Sequence, residues 1–273
     1  MPEGQRLPAV TAQDEIKELL LSADLDIEGV LPDASNLTAR VLLSGTAERA
    51  LYKPIQGEAP LRDFPDGTLA GREVAAYQVS ALGGWDLIPQ TVLRDGPLGP
   101  GSVQRWIDWE ATGSAPGDGM LEAFAATGVP EGWLPIVHGE DQDGRPVVVA
   151  HRDSPDLASL AVLDLVLNNA DRKGAHLVRD ASGRLWGVDH GLTLHVQDKL
   201  RTVLWGWAGQ PFPDHDRERL AQLHDALRPA DTLADLISPE ELTALIARVE
   251  ALRTHPVFPD LPPDRYPLPW PLW

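Results

Sequence analysis

The alternation of hydrophobic and polar positions predicts strands in the first part of the chain. A capping box at Thr11 indicates that a helix begins there, ahead of the strands, because an apolar stripe with helical spacing follows it. Three runs of period-two alternation, separated by turn-forming residues, then predict an antiparallel meander over residues 26–31, 38–43 and 49–54.

Helical spacing returns after a loop rich in Gly, Pro and Asp. A helix is predicted over residues 70–82, because the apolar positions recur every three or four residues until a Gly-Gly stop. Two more strands are predicted over residues 88–93 and 102–107. A stretch rich in Gly, Ala and Ser over residues 108–119 then indicates a boundary.

The remainder of the chain reads mostly as helix. A long apolar run predicts a strong helix from Pro155 to Asn168, and one turn signal before it and one after it predict two hairpins. The elements predicted here are a short helix at 121–127, a hairpin around 141–144, the helix at 155–168, a hairpin around 180–183, and helices at 214–227 and 239–254. The Pro- and Trp-rich residues from Pro256 onward predict an extended strap.

This order of elements predicts an α+β fold with two lobes. The first lobe, residues 1–108, contains the N-terminal helix, antiparallel strands and one further helix. The second lobe, residues 109–273, is mostly helical and contains one important hairpin. The 273 residues suffice for two closely associated lobes of a single domain.

The composition of the chain argues against several classes of partner and of chemistry. The net charge of −18 disfavours nucleic acid as a partner and constitutive binding to anionic membranes. The absence of cysteine excludes disulfides, thiolate catalysis and Cys-based zinc sites. No run of 18 apolar residues and no signal-peptide pattern is present, so we expect a cytoplasmic protein without an integral membrane segment.

Acidic and basic residues in two places match what phosphoryl transfer requires. That chemistry needs a cation on the phosphates, a carboxylate-held metal, and a group that orients or deprotonates the attacking hydroxyl. Lys53 ends a predicted strand, and Glu73 follows in the next helix, where its carboxylate could hold that lysine. This pair alone is equally compatible with an exposed lysine and an ordinary helical glutamate.

A stronger signal follows the long apolar helix. Asp171 lies just after the helix, in the sequence Asn-Ala-Asp-Arg, and Asp189 ends a hairpin strand, in the sequence Val-Asp-His-Gly. Asp189 follows Asp171 at a spacing of 18 residues, which is what two strands and a turn need to bring both carboxylates to one edge.

These two motifs resemble the catalytic and metal loops of phosphatidylinositol 3- and 4-kinases in order and spacing. The chain as a whole resembles an actinobacterial family related to those kinases. The resemblance implies a two-lobed, protein-kinase-like fold of the lipid-kinase type. It also implies ATP and Mg²⁺ or Mn²⁺ as cofactors, with nucleotide and an unidentified phosphoryl acceptor as partners.

The resemblance further implies a role for each matching residue. Lys53 would contact the α- and β-phosphates with Glu73 as its ion-pair partner, Asp171 would orient or deprotonate the acceptor hydroxyl, and Asp189 would bind the metal. The turn at residues 32–36 would take the place of the phosphate-covering loop. The nucleotide-binding residues implied beside Lys53 are two donors in that turn and the adenine-binding hinge, namely Ser35, Asn36, Gln104, Trp106 and Ile107.

One position departs from the family pattern. The second metal ligand of those kinases is an Asn five residues after the catalytic Asp, and here His176 stands there. Imidazole is a poor ligand for Mg²⁺. Three explanations stay open: His176 binds Mn²⁺ or another transition metal, Asp189 alone holds a single metal, or the site binds nucleotide without turning it over.

The sequence therefore leaves three functions open. The first is an atypical kinase that transfers the γ-phosphoryl group of ATP to a hydroxyl of a small molecule, lipid or protein. The alternative is a nucleotide-binding pseudokinase with a regulatory or scaffold role, and the third is a protein with a kinase fold that binds no nucleotide. The triplet His151-Arg152-Asp153 spells a protein-kinase catalytic motif. We interpret it as a strand end, because it precedes the long helix and has no Asn five residues later.

Overall fold

The computed structural model describes residues 12–31, 36–64, 68–228 and 233–273. Within these ranges the chain forms two compact units. The first unit consists of Met1–Pro60 and Gln90–Trp106, and the second consists of Leu61–Pro89 and Ile107–Trp273.

The first unit is a helix on a five-stranded antiparallel sheet with the strand order β1-β2-β3-β5-β4. Its elements are α1 (Ala12–Ser22), β1 (Leu25–Val30), β2 (Ala39–Leu43), β3 (Arg49–Pro54), β4 (Thr91–Gly96) and β5 (Gly99–Arg105). Strand β2 buries alternate residues, as a sheet with one covered face requires. The core contains Leu20 of α1 together with Val41, Tyr52 and Val103 of the sheet.

The second unit contains four helices, a three-stranded antiparallel sheet with the order β6-β8-β7, and a two-stranded hairpin. Its helices are α2 (Leu69–Leu82), α3 (Pro155–Leu167), α4 (Asp214–Ala226) and α5 (Pro239–Thr254). Its strands are β6 (Leu121–Ala125), β7 (Trp133–Glu140), β8 (Pro146–Arg152), β9 (Leu177–Arg179) and β10 (Leu185–Gly187).

Helix α3 lies at the centre of the second unit. Leu157, Leu160, Val162, Leu163 and Val166 are all inaccessible to solvent, so the helix is covered on every side. A helix that is apolar all round is expected in such a position. This burial fixes the direction in which the following residues, 168–176, leave the core.

The division into units differs from the sequence-based boundary at residue 108. Helix α2 was assigned to the strand-rich lobe, but Ala75, Ala76 and Val79 belong to the same buried cluster as the core residues of α3 and α4. The apolar face of α2 is therefore buried within the second unit.

Most predicted elements of the described ranges are confirmed, including the β7–β8 and β9–β10 hairpins and helices α2 to α5. The short helix predicted at 121–127 is wrong. Residues Leu121–Ala125 form β6 instead, pairing antiparallel with β8 from Leu121 opposite His151 to Ala125 opposite Val147. Tertiary pairing here overrides the local preference of Leu, Glu and Ala for helix.

The His151-Arg152-Asp153 triplet lies at the end of β8, as predicted. The ring of His151 is buried, and the carboxylate of Asp153 accepts a hydrogen bond from the indole of Trp207 at 3.0 Å. Both side chains are structural. Among the described residues, no helix has the length and apolar character needed to cross a membrane.

Candidate functional site

The site begins where α3 ends. Asn168 adopts a left-handed conformation with φ of 52°, which a short polar side chain tolerates and which ends the helix. Its amide nitrogen donates to the carbonyls of His195 and Gln197, at 3.0 and 2.7 Å. The helix end is thereby fixed to the segment that follows Asp189.

The next residue, Asn169, shapes the loop that contains Asp171. Its side chain is fully buried, donating to Asp164 at 2.9 Å and accepting from the backbone N–H of Asp171 at 3.0 Å. A carboxylate in the middle of an apolar helix therefore sets the start of the loop. Residues 169–176 are called the catalytic loop below, after the kinase loop that they are predicted to match.

Arg172 joins the catalytic loop to the end of β10. Its guanidinium is fully buried and forms a two-pronged ion pair with Asp164, with both N–O distances at 2.9 Å. It also donates to the carbonyls of His176 and Val188, at 3.3 and 3.0 Å, and lies 2.7 Å from Nε2 of His190. One side chain thus fixes residues on both sides of Asp189.

Gly187 makes this arrangement possible. A Cβ atom at this position would lie 2.9 Å from Leu160 and 3.2 Å from the guanidinium of Arg172. Because a Cβ atom almost never approaches a neighbour that closely, any other residue would require the Leu160 side chain or the Arg172 guanidinium to shift.

Asp171 projects from the catalytic loop beside a lysine. Its Oδ2 lies 3.1 Å from Nζ of Lys173. Burial raises the pKa of the Asp171 carboxyl, the ammonium of Lys173 opposes that rise, and the negative charge of Asp189 adds to it. Asp189 is thus near enough to influence the charge of Asp171, and the convergence of both carboxylates on one bound nucleotide stays a prediction.

Asp189 lies two residues after the end of β10, with a φ of 60°. Its Oδ2 is 3.6 Å from Nε2 of His176, the residue that replaces the Asn of the kinase pattern. The Asp189 side chain is 54% exposed and that of His176 is 12% exposed. The loop therefore presents one carboxylate and one imidazole side by side, with the carboxylate accessible.

Glu73 is buried in α2 and has a role that the sequence did not predict. Its Oε2 accepts a hydrogen bond of 3.0 Å from the backbone N–H of His190, so it holds the residue next to Asp189. Lys53 lies in β3 of the first unit, opposite Ser102 of β5. The predicted pairing of Lys53 with Glu73 stays a prediction.

The other predicted nucleotide-binding residues belong to several environments. Ser35 lies outside the described residues, and the side chain of Asn36 accepts from the backbone N–H of Ala59 at 2.7 Å. Gln104 is buried in β5, where its amide donates to Thr91 at 2.9 Å.

Two hinge residues follow β5. The backbone N–H of Trp106 donates to the carbonyl of Arg49 at 2.9 Å, within the first unit. Ile107 belongs to the second unit and is buried in a cluster with Val178 and Trp186. Their contact with adenine stays a prediction.

The pairing of Asp189 with His176 bears on metal binding. Within 12–31, 36–64, 68–228 and 233–273, no group of three or more His, Cys, Asp or Glu side chains is arranged to hold a metal ion. Protein kinases and ATPases hold Mg²⁺ through one or two carboxylates, with phosphate oxygens and water completing the shell. Asp189 offers one accessible carboxylate of this kind, and its binding of a metal ion together with His176 stays a prediction.

A search with protein-family models finds no match to the chain. Over 271 residues the chain is 43% identical to Protein Rv2133c of Mycobacterium tuberculosis (strain ATCC 25618 / H37Rv), covering 96% of this chain and 97% of that protein. The chain belongs to the family of Rv2133c.

Among solved structures, the crystal structure of the Helicobacter pylori proinflammatory kinase CtkA is similar. The TM-score is 0.50 at 9% identity, over 87% of this chain and 94% of that chain. A likeness at this identity concerns the fold alone. This member of the Rv2133c family therefore has a kinase-like fold, and its relation to phosphatidylinositol 3- and 4-kinases stays a prediction.

Sequence reasoning missed the roles of three residues that shape the site of this Rv2133c relative, namely Asp164, Asn169 and Gly187. The one available signal was Asp164, a carboxylate inside an otherwise apolar helix. A buried charge requires a partner, and Arg172 eight residues later was a candidate.

Proposed function

We propose that the chain is a kinase that transfers the γ-phosphoryl group of ATP to a hydroxyl group of an acceptor. The observation that carries this proposal is the linkage of two segments by Arg172, which bonds residues on both sides of Asp189 from its own position next to Asp171. The kinase-like fold supports it. The acceptor, whether a small molecule, a lipid or a protein, is left open.

In this proposal Asp171 takes the proton of the acceptor hydroxyl. The hydroxyl oxygen forms a bond to the γ-phosphorus while the bond from that phosphorus to the bridging oxygen breaks, and ADP leaves with the bridging electron pair. Because burial raises the pKa of Asp171, its carboxylate is a stronger base than an exposed aspartate. Lys173, 3.1 Å away, supplies a positive charge beside it.

Asp189 and His176 would hold the metal ion. A divalent ion there would neutralise part of the charge on the phosphates. A carboxylate with an imidazole 3.6 Å away suits Mn²⁺ or another transition metal better than Mg²⁺. We therefore propose Mn²⁺ as the preferred ion, with a single metal held by Asp189 as the alternative.

The first unit would bind the nucleotide in this proposal. Lys53 would contact the α- and β-phosphates, with Glu73 supporting it in addition to binding the His190 backbone. Ser35 and Asn36 would cover the phosphates, and the hinge at 104–107 would receive adenine.

His176 also favours a second candidate function, that of a nucleotide-binding pseudokinase. Its imidazole stands where the related kinases have a metal-binding amide, and it lies beside the only metal-binding carboxylate that we propose. A pseudokinase would bind ATP without turning it over. Measurements of ATP turnover and of ATP-dependent stabilisation separate the two candidates.

The first prediction concerns Asp171→Asn. We expect this variant to lower ATP turnover by about 10²- to 10⁴-fold, because it removes the base while keeping the shape of the loop. Thermal shift with ATP in Mg²⁺ or Mn²⁺ should remain as in the unaltered chain. Steady-state ATP turnover and the ATP-induced rise in Tm are measured side by side.

The matched control is Asp153→Asn. Asp153 is the aspartate of the His151-Arg152-Asp153 triplet, but its carboxylate accepts a hydrogen bond from Trp207, and an amide oxygen can still do so. We expect unchanged turnover. ATP binding without turnover, unaffected by Asp171→Asn, would establish the pseudokinase, and no ATP-dependent stabilisation with any metal would exclude both candidates.

A further inference from the structure

The strap, defined here as residues 256–273, lies against the second unit near the catalytic loop. The carbonyl of Pro267 accepts two hydrogen bonds, from the backbone N–H of Thr202 at 3.2 Å and from the indole of Trp205 at 3.0 Å. Leu268 is buried in a cluster with Leu200 and Trp205. The strap is therefore attached to residues 200–205 by polar and apolar contacts together.

Arg265 adds a third attachment. Its guanidinium donates to the carbonyl of Leu200 and to the carboxylate of Asp198, the latter at 2.8 Å. A guanidinium that reaches two acceptors at once fixes orientation as well as distance. Residues 265–268 of the strap thus hold residues 198–205 in place.

Residues 201–203 in turn hold the catalytic loop. Arg172 donates its backbone N–H to Arg201 at 3.0 Å and accepts from Val203 at 3.1 Å, and Arg201 donates to the carbonyl of Asn169 at 2.9 Å. The backbone of Arg172 pairs with that of Thr202 in a parallel bridge. Pro267, Thr202 and Arg172 therefore lie side by side on three neighbouring backbone segments.

The last residues of the strap also contact the catalytic loop directly. The carbonyl of Leu272 accepts from the backbone N–H of Gly174 at 2.8 Å. A Cβ atom on Gly174 would lie 2.8 Å from Leu121 and 3.1 Å from the ring of Trp273, so the glycine is enclosed by both. Gly174 lies between Asp171 and His176, the proposed base and the proposed metal ligand.

We propose that the strap is a positioning element of the active site, and that Leu272 and Trp273 set the catalytic loop in its working geometry. This inference rests on the proposed function. The strap contacts the catalytic loop between the proposed base and the proposed metal ligand, whereas the proposed nucleotide contacts lie elsewhere in the chain. The strap is therefore expected to govern the rate of phosphoryl transfer more than the binding of ATP, because transfer depends steeply on position.

The test uses two changes to the strap, Trp273→Ala and a chain that ends at Trp270. The first removes the ring over Gly174, and the second removes the Leu272 carbonyl as well. We expect kcat for ATP turnover to fall by about 10- to 100-fold with the KM for ATP within about twofold. Amide exchange in the peptide that contains Gly174 should become about tenfold faster in the shortened chain.

Two further variants serve as controls. Trp270→Ala removes the same side-chain type from the same segment, but Trp270 is 80% exposed, so kcat and amide exchange should not change. Trp273→Phe retains a ring over Gly174 and should restore most of kcat. This restoration is what a general loss of stability would not produce.

The outcomes separate the two proposals. Absence of turnover in the unaltered chain would overturn the proposed function and the catalytic role of the strap with it. Normal turnover combined with an unchanged kcat in both strap variants would overturn the strap proposal alone. Unchanged amide exchange at Gly174 in the shortened chain would overturn it as well, whatever the activity.

Discussion

At the scale of single residues, the ion pair of Arg172 with Asp164 is the feature on which the site geometry depends. Transferring two charges from water to the core costs several kcal/mol for each ion, which is offset only when hydrogen bonds are made throughout. Arg172 meets that condition through Asp164, Val188, His176 and His190. The pair therefore determines where both loops lie.

Removing one partner of this pair should be costly. We expect Arg172→Met to lower the free energy of unfolding by about 3–5 kcal/mol, because the Asp164 carboxylate stays buried without its cation. The double variant Asp164→Asn with Arg172→Met should be more stable than Arg172→Met alone, because neither charge remains. Denaturant unfolding of the two single variants and the double variant measures this coupling.

Activity provides the second readout of the same variants. Turnover should stay low in the double variant even where stability recovers, because Val188 and His190 have lost their donor. Strictly additive effects on stability would contradict the assigned pairing.

The sequence allowed some of these residues to be placed and not others. The β9–β10 hairpin between Asp171 and Asp189 was predictable from its turn signal, since two short strands and a tight turn leave little freedom. The contact of Glu73 with the His190 backbone could not be predicted in the same way, because it joins residues 117 positions apart. Only the packing of α2 against the rest of its unit creates that contact.

At the scale of elements, the second-last residue of strand β8 is a histidine that must stay neutral. His151 Nδ1 lies 2.9 Å from the carbonyl of Arg152, to which it donates, and its Nε2 accepts from the backbone N–H of Gly206 at 2.9 Å. Both ring nitrogens are thus satisfied in the neutral form. Burial lowers the pKa of His151 to about 4.

The low pKa of His151 leads us to expect that the protein loses stability in acid. The unfolded chain takes up a proton near pH 6.5 and the folded chain only near pH 4, so stability falls as the pH decreases between those values. The full effect is about 3 kcal/mol. Denaturant unfolding at pH 7.5, 6, 5 and 4.5 measures it.

Two variants assign the acid effect to His151. His151→Gln should flatten the pH dependence, because the amide does not titrate and still offers an acceptor to Gly206. His138→Gln, at an exposed position of β7, should leave the dependence as it is. The same slope in His151→Gln as in the unaltered chain would show that other groups cause the acid effect.

Elements with their own start and stop signals were predictable, and β6 was not. Helix α5 begins at a capping box in which Ser238 and Glu241 each bond the other's backbone, a signal present in the sequence. Residues Leu121–Ala125 have no such signal and favour helix locally. They become a strand because β8 offers a free edge for pairing beside them.

At the scale of the whole molecule, the chain is strongly acidic and contains only four lysines. Two of these lie beside carboxylates in the second unit, Lys173 at Asp171 and Lys199 at Asp63, both at 3.1 Å. A net charge of −18 repels a free triphosphate. The chain is therefore expected to bind ATP as its metal complex, in which part of that charge is neutralised.

The sequence predicted the strand-first, helix-second order but not the grouping of α2. Chain order assigns a helix to its sequence neighbours, whereas the buried face of α2 belongs to the cluster around α3. Sequence identity of 43% with Rv2133c extends over nearly the whole chain, so the grouping is expected throughout that family. Comparison with CtkA extends only to the fold.

The most direct test of the central claim is a crystal structure with a non-hydrolysable ATP analogue and Mn²⁺, in which the metal is located by its anomalous scattering. The account predicts a manganese peak within coordination distance of the Asp189 carboxylate and the His176 imidazole, with the γ-phosphate beside Asp171. A nucleotide bound away from both aspartates, or no metal at Asp189 when the analogue is bound, would contradict it.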